Sequence, residues 1–300
     1  MNNTPKPGPN LEIVIEGHNF TYDDEVKDWD SIVGIDISVN LLRSVSRSVL
    51  EPEEVRGYGV DTLMRKERTS ILLLGGTGMG KSSLVSALVG ELRKALPNKF
   101  NAYKVDVSGL LVRYGEESPA IINAFFEVLE EREDGGYSLI HLEGLHDTLQ
   151  FYPAMGAISE RLNRHKYDDR TIVLGESKLP KNQHPDPLLK AFKIHHTIPS
   201  LDYAARYKIL EFYITQAREK ANRRASDPFG EGLDLSEVAH GSEGLSGHNL
   251  KVVVDRAIDN VIGSSVINQT ARKIKTDDLL IALAYVRQSE GYRKQQRMGF

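Results

Sequence analysis

Several common sequence features are missing from this chain, and each absence excludes a class of function. Its 300 residues contain no cysteine, which excludes disulfides, thiolate metal sites and thiol catalysis. Aromatic residues make up only 7% and the net charge is −4, so no basic surface for nucleic acid or anionic membranes is indicated. No apolar run reaches the length of a membrane span, and residues 1–10 lack the apolar stretch of a signal peptide. We therefore expect a cytoplasmic protein with no membrane association and without a nucleic-acid partner.

Short apolar runs alternate with helical periodicity in the first two thirds of the chain. Such alternation predicts an α/β fold in which crossover helices connect the strands of a parallel sheet. Beyond Pro199 the strands stop and only helical spacing continues, which predicts a second, smaller all-helical domain. The predicted strands are 70–74, 102–107, 138–142, 171–174 and 194–198. The predicted boundaries are a flexible N-terminal tail over 1–27, an α/β domain over 28–199, a helical lid domain over 200–290 and a C-terminal tail over 291–300.

Three helix starts are marked by residue type. Ser118 is a candidate N-cap followed by proline in the first turn, and an apolar stripe begins at Ile122. Asp202 is expected to open a helix that continues to about residue 215, and Thr276 to begin the last helix.

The segment GGTGMGKSS carries the complete phosphate-binding loop pattern, placed after a predicted strand and before a predicted helix. Its glycines let backbone N–H groups converge on phosphate oxygens, and the helix N-terminus adds partial positive charge. Lys81 is expected to reach the β- and γ-phosphates, and the Ser82 hydroxyl to ligate Mg²⁺. The alternative is a glycine-rich turn that only joins strand to helix. The predicted ATP-binding residues of this loop are Gly75, Gly76, Thr77, Gly78, Met79, Gly80, Lys81, Ser82 and Ser83.

With the loop in place, residues 28–288 resemble the classical AAA ATPases. The segment DWDSIVGIDISVNLL is similar to the stretch that runs beside adenine in that family, which implies contacts of Ile32, Val33 and Gly34 with the base. Val33 replaces the first glycine of the family's pair. The segment GLSGHNLKVVVDRAI is similar to the family's lid, which implies that Gly247 and His248 lie near the sugar or base. Gly247 is alternatively a glycine that simply begins a helix.

The segment VDVSGLLVRYGEES resembles the family's pore loop, although one residue between the aromatic and the glycine is missing. The resemblance implies that Tyr114 grips a threaded polypeptide. The alternative is an exposed loop tyrosine.

The strand that supplies the family's paired acidic residues departs from the pattern. Here it reads SLIHLEGLHD. In one register Glu143 takes the position that holds Mg²⁺ and Gly144 that of the catalytic base; shifted by one, Glu143 becomes the base and Leu142 replaces the metal-holding residue. Either way one carboxylate is missing. Asp147 and His146 compensate only if the following loop folds back.

Two further positions depart from the family. Lys178 stands where the family has an asparagine, and a lysine cannot accept a hydrogen bond to orient water. The segment DPLLKAFK has Lys190 and Lys193 near the positions of the family's arginine fingers. Because these changes fall in one functional unit, we expect hydrolysis to be weak or lost while ATP binding persists.

Two functions are therefore carried forward. The first is a chaperone-like AAA+ ATPase that uses Lys81, Ser82, Glu143 and Lys178 with ATP and Mg²⁺ to remodel a protein partner, as part of a homo- or hetero-oligomeric ring or arc. The second is a non-catalytic assembly subunit for which ATP is a structural ligand, and a DNA-directed loader is a weaker third. We expect His141 to be a satisfied core histidine, and His195 and His196 to face opposite sides of a strand.

Overall fold

The computed structural model describes residues 20–22, 25–50, 69–130, 136–164, 170–222, 227–268 and 272–298. Residues 1–19, most of the predicted N-terminal tail, lie outside this described part. The chain divides into two compact units. The first comprises Met1–Ser31, Ile37–Gly76 and Lys81–Ile198, and the second Ile32–Asp36, Thr77–Gly80 and Pro199–Phe300.

A parallel sheet forms the centre of the first unit, as predicted. The described residues place five strands in the order β2-β3-β4-β1-β5. Both neighbours of β1 run parallel to it, and Leu73 lies opposite Glu176 of β4. Because all carboxyl ends meet at one edge, the loops after β1, β3 and β4 are brought together there. The strands are β1 (Thr69–Leu74), β2 (Phe100–Asp106), β3 (Tyr137–Glu143), β4 (Thr171–Ser177) and β5 (Ile194–Thr197).

Helices follow the strands of the first unit in alternation. The apolar stripe predicted after Ser118 is buried at Ile122, Phe125 and Phe126, which pack in the core beneath the sheet. The helix does begin at Ser118, but the predicted capping role is wrong, because this buried hydroxyl donates backwards to the carbonyls of Leu110 and Gly115. The helices are α1 (Asp36–Leu50), α2 (Lys81–Ala95), α3 (Val107–Tyr114), α4 (Ser118–Glu130), α5 (Tyr152–Asn163) and α6 (Asp186–Ala191).

Part of the predicted N-terminal tail is built into the core. Phe20 and Tyr22 are each 1% exposed, and the backbone N–H of Lys104 donates to the Phe20 carbonyl at 2.9 Å. Thr21 forms an antiparallel bridge to Tyr103 of β2. The prediction of a flexible tail is therefore wrong for residues 20–22, because two aromatic side chains there bury their rings beside edge strand β2.

The second unit is helical with a core of its own, centred on residues such as Leu210, Val253 and Leu279. The helix expected from Asp202 to about residue 215 begins at Tyr203, with Asp202 accepting from the Ala205 N–H at 2.7 Å, and runs on to Asn222. The last helix starts at Thr276 as predicted but continues to Met298, through most of the predicted tail. The helices are α7 (Tyr203–Asn222), α8 (Leu235–Gly241), α9 (Gly247–Asn268) and α10 (Thr276–Met298). Across the described residues, no helix combines the length and apolarity needed to cross a bilayer.

Candidate functional site

The glycine-rich loop leaves β1 and enters α2, as its sequence predicts. The Gly75 N–H donates to the Ser177 carbonyl at 3.1 Å, which ties the start of the loop to the end of β4. Gly78 has φ +78° and Gly80 has φ +92°. Both values lie in the left-handed region that favours glycine, so the turn depends on these residues.

Crowding adds to the need for glycine in the second unit. A Cβ atom on Gly78 would lie 2.7 Å from Ser246 Oγ and 2.8 Å from His248 Cβ, and one on Gly80 would lie 3.0 Å from Ile35 Cδ1. The His248 N–H donates to the Gly78 carbonyl at 3.3 Å. The start of α9, which the resemblance assigned to the lid, therefore contacts the tip of the glycine-rich loop.

Two glycines assigned by resemblance to the neighbourhood of the base or sugar, Gly34 and Gly247, lie close to the side chain of Ile209 of α7. A Cβ on Gly34 would lie 3.0 Å from Ile209 Cδ1, and one on Gly247 would lie 3.8 Å from the same atom. Val33 packs against the helical core, and Ile32 is half-buried. The second unit thus brings 32–34, 247–248 and the loop tip into one neighbourhood. Ile209 was missed because an apolar residue on a helix carries no functional signal.

Lys81 opens α2 and turns back on its own loop. Its ammonium donates to the carbonyls of Gly75 at 2.6 Å and Gly76 at 3.0 Å. Burial lowers the pKa of Lys81 from its ordinary value, while the carboxylates of Glu176 and Glu143 act in the opposite direction. The lysine is therefore held beside two carboxylates and the loop backbone.

Ser82 faces a residue that sequence reasoning missed. The Ser82 hydroxyl donates to Glu176 Oε2 at 3.0 Å, and Glu176 Oε1 is bonded to His141 Nε2 at 2.8 Å. Glu176 is 3% exposed and His141 fully buried. The signal was present as a lone acidic residue in TIVLGES, but the predicted strand ended at residue 174, before it. His141 is a core histidine, as predicted, and its Nε2 is hydrogen-bonded. Its buried Nδ1 has no hydrogen-bond partner within the described residues.

Glu143, the predicted magnesium ligand, lies at the end of β3 and pairs with Lys104 of β2 at 3.0 Å. Its side chain is 38% exposed. It is close enough to Lys81 to raise the pKa of the lysine, but its effect is smaller than that of Glu176.

Gly144 follows with φ +77°, at the position of the family's catalytic base in the first register. A Cβ atom there would lie 2.1 Å from Ser108 Oγ. Ser108 donates to Asp147 Oδ2 at 2.5 Å, so Asp147 is directed at α3. A side chain at position 144 would be strained at this φ and would require the Ser108 hydroxyl to move.

His146 is the other compensating residue considered in the sequence. Its Nε2 lies 3.4 Å from Asp147 Oδ1. Burial lowers its pKa, Asp147 raises it, and Lys178 and Lys81 lower it further. The charges of Lys81 and Lys178 therefore both act on the pKa of His146. Lys178 is exposed and directly follows β4.

The predicted pore residue Tyr114 ends α3 and is half-buried against the first unit's core. The alternative of an exposed loop tyrosine is therefore wrong. Val112 on the same helix is 89% exposed. Lys190 and Lys193, at the positions near the family's arginine fingers, are both exposed.

His195 and His196 face opposite sides of β5, as expected. The Nε2 of His195 bonds the Leu189 carbonyl at 2.8 Å, and that of His196 bonds Ser38 Oγ at 2.7 Å. The described residues contain no cluster of three or more His, Asp or Glu side chains suited to a metal ion.

The donors around Ser82 fit Mg²⁺ in chemical type. Hydroxyl and carboxylate oxygens are the ligands this ion prefers, and it is usually held by one or two carboxylates together with substrate phosphates and water rather than by an all-protein cage. Ser82, Glu143 and Glu176 supply such oxygens within the first unit.

Comparison with protein families gives one match, which covers part of the chain. Residues 71–199 match the model of the ATPase family associated with various cellular activities (AAA). The matched AAA region starts inside β1 and ends just after β5, so it includes the glycine-rich loop, Glu143, Glu176 and His141. The AAA match supports an AAA+ ATPase module, with the nucleotide binding and ATPase-type activity that this family domain suggests.

Proposed function

We propose that this chain binds Mg-ATP through its glycine-rich loop, turns it over slowly, and couples the bound nucleotide to remodelling or assembly of a protein partner. The observation that carries the proposal is the loop itself. Gly78 and Gly80 adopt the left-handed conformations of a phosphate-binding turn, and Lys81 stands at the start of α2.

Phosphate binding follows from the surroundings of Lys81. The ammonium group donates to the carbonyls of Gly75 and Gly76, and anionic phosphate oxygens are stronger acceptors for it than neutral carbonyls. Ser82 with Glu143 is proposed to hold Mg²⁺, which would offset phosphate charge. Residues 32–34 with Gly247 and His248 are proposed to lie beside the base and sugar.

Impaired hydrolysis is supported by the geometry around Gly144. A base at that position would be strained by the left-handed backbone and would have to displace the Ser108 hydroxyl. Lys178 offers a donor but no acceptor to orient an attacking water. The geometry around Gly144 also favours a second candidate function, a non-catalytic assembly subunit in which ATP is a structural ligand.

Calorimetric titration tests the binding step. We expect the wild type to bind ATP in the presence of Mg²⁺ and Lys81→Ala to lose measurable binding, because the mutation removes the charge that meets the phosphates. Lys94→Ala is the matched control. It lies on the same helix in an exposed ion pair with Asp28, so its ATP affinity should be unchanged. Equal affinities for Lys81→Ala and the wild type would contradict the proposal.

Steady-state turnover separates the two candidates. A rate of about 0.1–10 per second, abolished in Glu143→Gln, supports the ATPase, since this range is near that of ordinary enzymes. Tight binding without detectable turnover supports the assembly subunit.

A homo- or hetero-oligomeric ring or arc completes the proposal. In a hetero-oligomer, a different neighbouring subunit would supply the arginines that the segment at 186–193 lacks. The half-buried Tyr114 with exposed Val112 is proposed as the surface that meets the partner, and the cytoplasm as the setting. Mass measurement with and without ATP tests assembly, and a monomer under both conditions at high concentration argues against it.

A further inference from the structure

Glu176 is the most unusual residue near the glycine-rich loop. It is an acidic side chain, 3% exposed, and the one charged residue of strand β4. A carboxylate withdrawn from water is costly unless its oxygens are satisfied. Both are satisfied here, one by the Ser82 hydroxyl and the other by His141.

The two hydrogen bonds give Glu176 a defined orientation. His141 is fully buried on β3, so its Nε2–H fixes Oε1 from the neighbouring strand. Oε2 then accepts the Ser82 proton at 3.0 Å. A hydroxyl has one proton and two lone pairs, so a serine that donates to Glu176 keeps both lone pairs for a cation.

Glu143, proposed above to hold Mg²⁺ with Ser82, is placed less well to orient the Ser82 hydroxyl. Its carboxylate is 38% exposed and paired with Lys104, and no described contact joins it to Ser82.

From these contacts we propose that Glu176 is the positioning carboxylate for Mg²⁺ in this chain. It orients the Ser82 hydroxyl towards the ion and places a negative charge beside it, with His141 as its anchor. This inference rests on the proposed function, because Mg²⁺ enters with ATP.

The proposal predicts different effects on ATP binding without metal and on Mg²⁺ binding. A merely structural role for Glu176 would weaken both together. Without metal, Glu176 repels the triphosphate, so its neutralisation should leave ATP affinity unchanged or tighter. With metal, loss of the carboxylate removes an outer-sphere partner of the ion, and such changes typically weaken metal affinity by about 10- to 100-fold.

The test is calorimetric titration of the full chain with ATP, once in EDTA and then over a series of Mg²⁺ concentrations. We expect Glu176→Gln to raise the half-saturating Mg²⁺ concentration by about tenfold or more, with ATP affinity in EDTA unchanged or tighter. Glu160→Gln, an exposed carboxylate paired with Arg164, is the matched control and should behave as the wild type.

Two outcomes overturn the inference. One is an unchanged Mg²⁺ requirement in Glu176→Gln, and the other is an equal loss of affinity with and without metal. A wild type that binds no ATP in either condition is a different result, which overturns the proposed function itself.

A double-mutant cycle distinguishes the proposed coupling of Glu176 to Ser82 from a general effect of the mutation on folding. If Glu176 acts through Ser82, then Glu176→Gln added to Ser82→Ala should raise the Mg²⁺ requirement little further. Full additivity of the two changes contradicts the proposed coupling. Glu176→Asp, one methylene shorter, should retain part of the Mg²⁺ affinity that Glu176→Gln loses, and identical behaviour of the two variants also contradicts it.

Discussion

Gly144 illustrates how one residue constrains the backbone at the end of β3. Its φ of +77° disfavours any side chain, and a Cβ atom there would displace the Ser108 hydroxyl. Ser108 is in turn held by Asp147. Gly144 is therefore part of a local structure formed by two chain segments, the start of α3 and the turn after β3, and a larger side chain here would disturb that structure.

We expect Gly144→Ala to lower the free energy of unfolding by about 2 kcal/mol, because a non-glycine residue is strained at this φ and displaces Ser108. Urea unfolding followed by Trp29 fluorescence measures the change, since this lone tryptophan is buried in the same unit. Gly156→Ala is the control. Gly156 lies inside α5 with open space around it, so alanine should be neutral or stabilising by up to about 1 kcal/mol. Equal stabilities of the two variants would contradict the strain argument.

At the scale of elements, α4 and α5 are joined by a buried cation. Arg161 of α5 is 6% exposed and donates through Nε to Asn123 Oδ1 of α4 at 2.8 Å. Its guanidinium also pairs with Glu127 and lies 3.8 Å from Glu130 Oε2. The apolar stripe of α4 predicted its buried face, but nothing in the sequence distinguished Arg161 from the exposed arginines.

Arg161→Ala is expected to lower the free energy of unfolding by about 2–3 kcal/mol, because it leaves polar groups of α4 without their buried partner. Arg164→Ala, three residues on, removes only an exposed pair with Glu160 and should cost less than about 0.5 kcal/mol. Urea midpoints from Trp29 fluorescence provide the comparison. A cost for Arg161→Ala as small as that of the control would mean that the buried pairing contributes nothing.

At the scale of the whole molecule, the chain has two separate hydrophobic cores, one beneath the sheet and one among the helices. The described histidines whose pKa is shifted are found in one of the two units. His146, His184 and His196 all belong to the first unit, and burial lowers the pKa of each below the ordinary value near 6.5.

The first unit should therefore lose stability in mild acid. Because the folded-state pKa values lie below those of the unfolded chain, the unfolded state binds more protons, and the free energy of unfolding rises with pH. The stabilisation is complete above about pH 6.5 and is lost as the pH falls through the folded-state pKa values. Urea unfolding at about pH 7.5 and about pH 5.5, followed by Trp29 fluorescence, checks the sign.

The combined His184→Gln and His196→Gln variant serves as the comparison, because it removes two of the three titrations. It should show a smaller difference between the two pH values than the wild type. An equal or larger difference would assign the pH dependence to other groups.

Structural elements that depend on consecutive residues could be predicted from the sequence. The strand, glycine-rich loop and helix around Lys81 follow one another within consecutive residues, so spacing and residue type were enough to predict them. Local signals failed at boundaries, as at the end of β4, where a charged residue continues an apolar strand.

The side-chain contacts made across the sheet at this site could not be predicted from local sequence patterns. Ser82 and Glu176 are separated by 94 positions, and they meet because β4 lies beside β1 in the sheet. His141 reaches the same carboxylate from β3, and Ser108 occupies the space beside Gly144 from α3. Covalent order sets which residues follow one another, whereas strand order sets which side chains share a carboxyl edge, and that order is chosen by packing of the whole core.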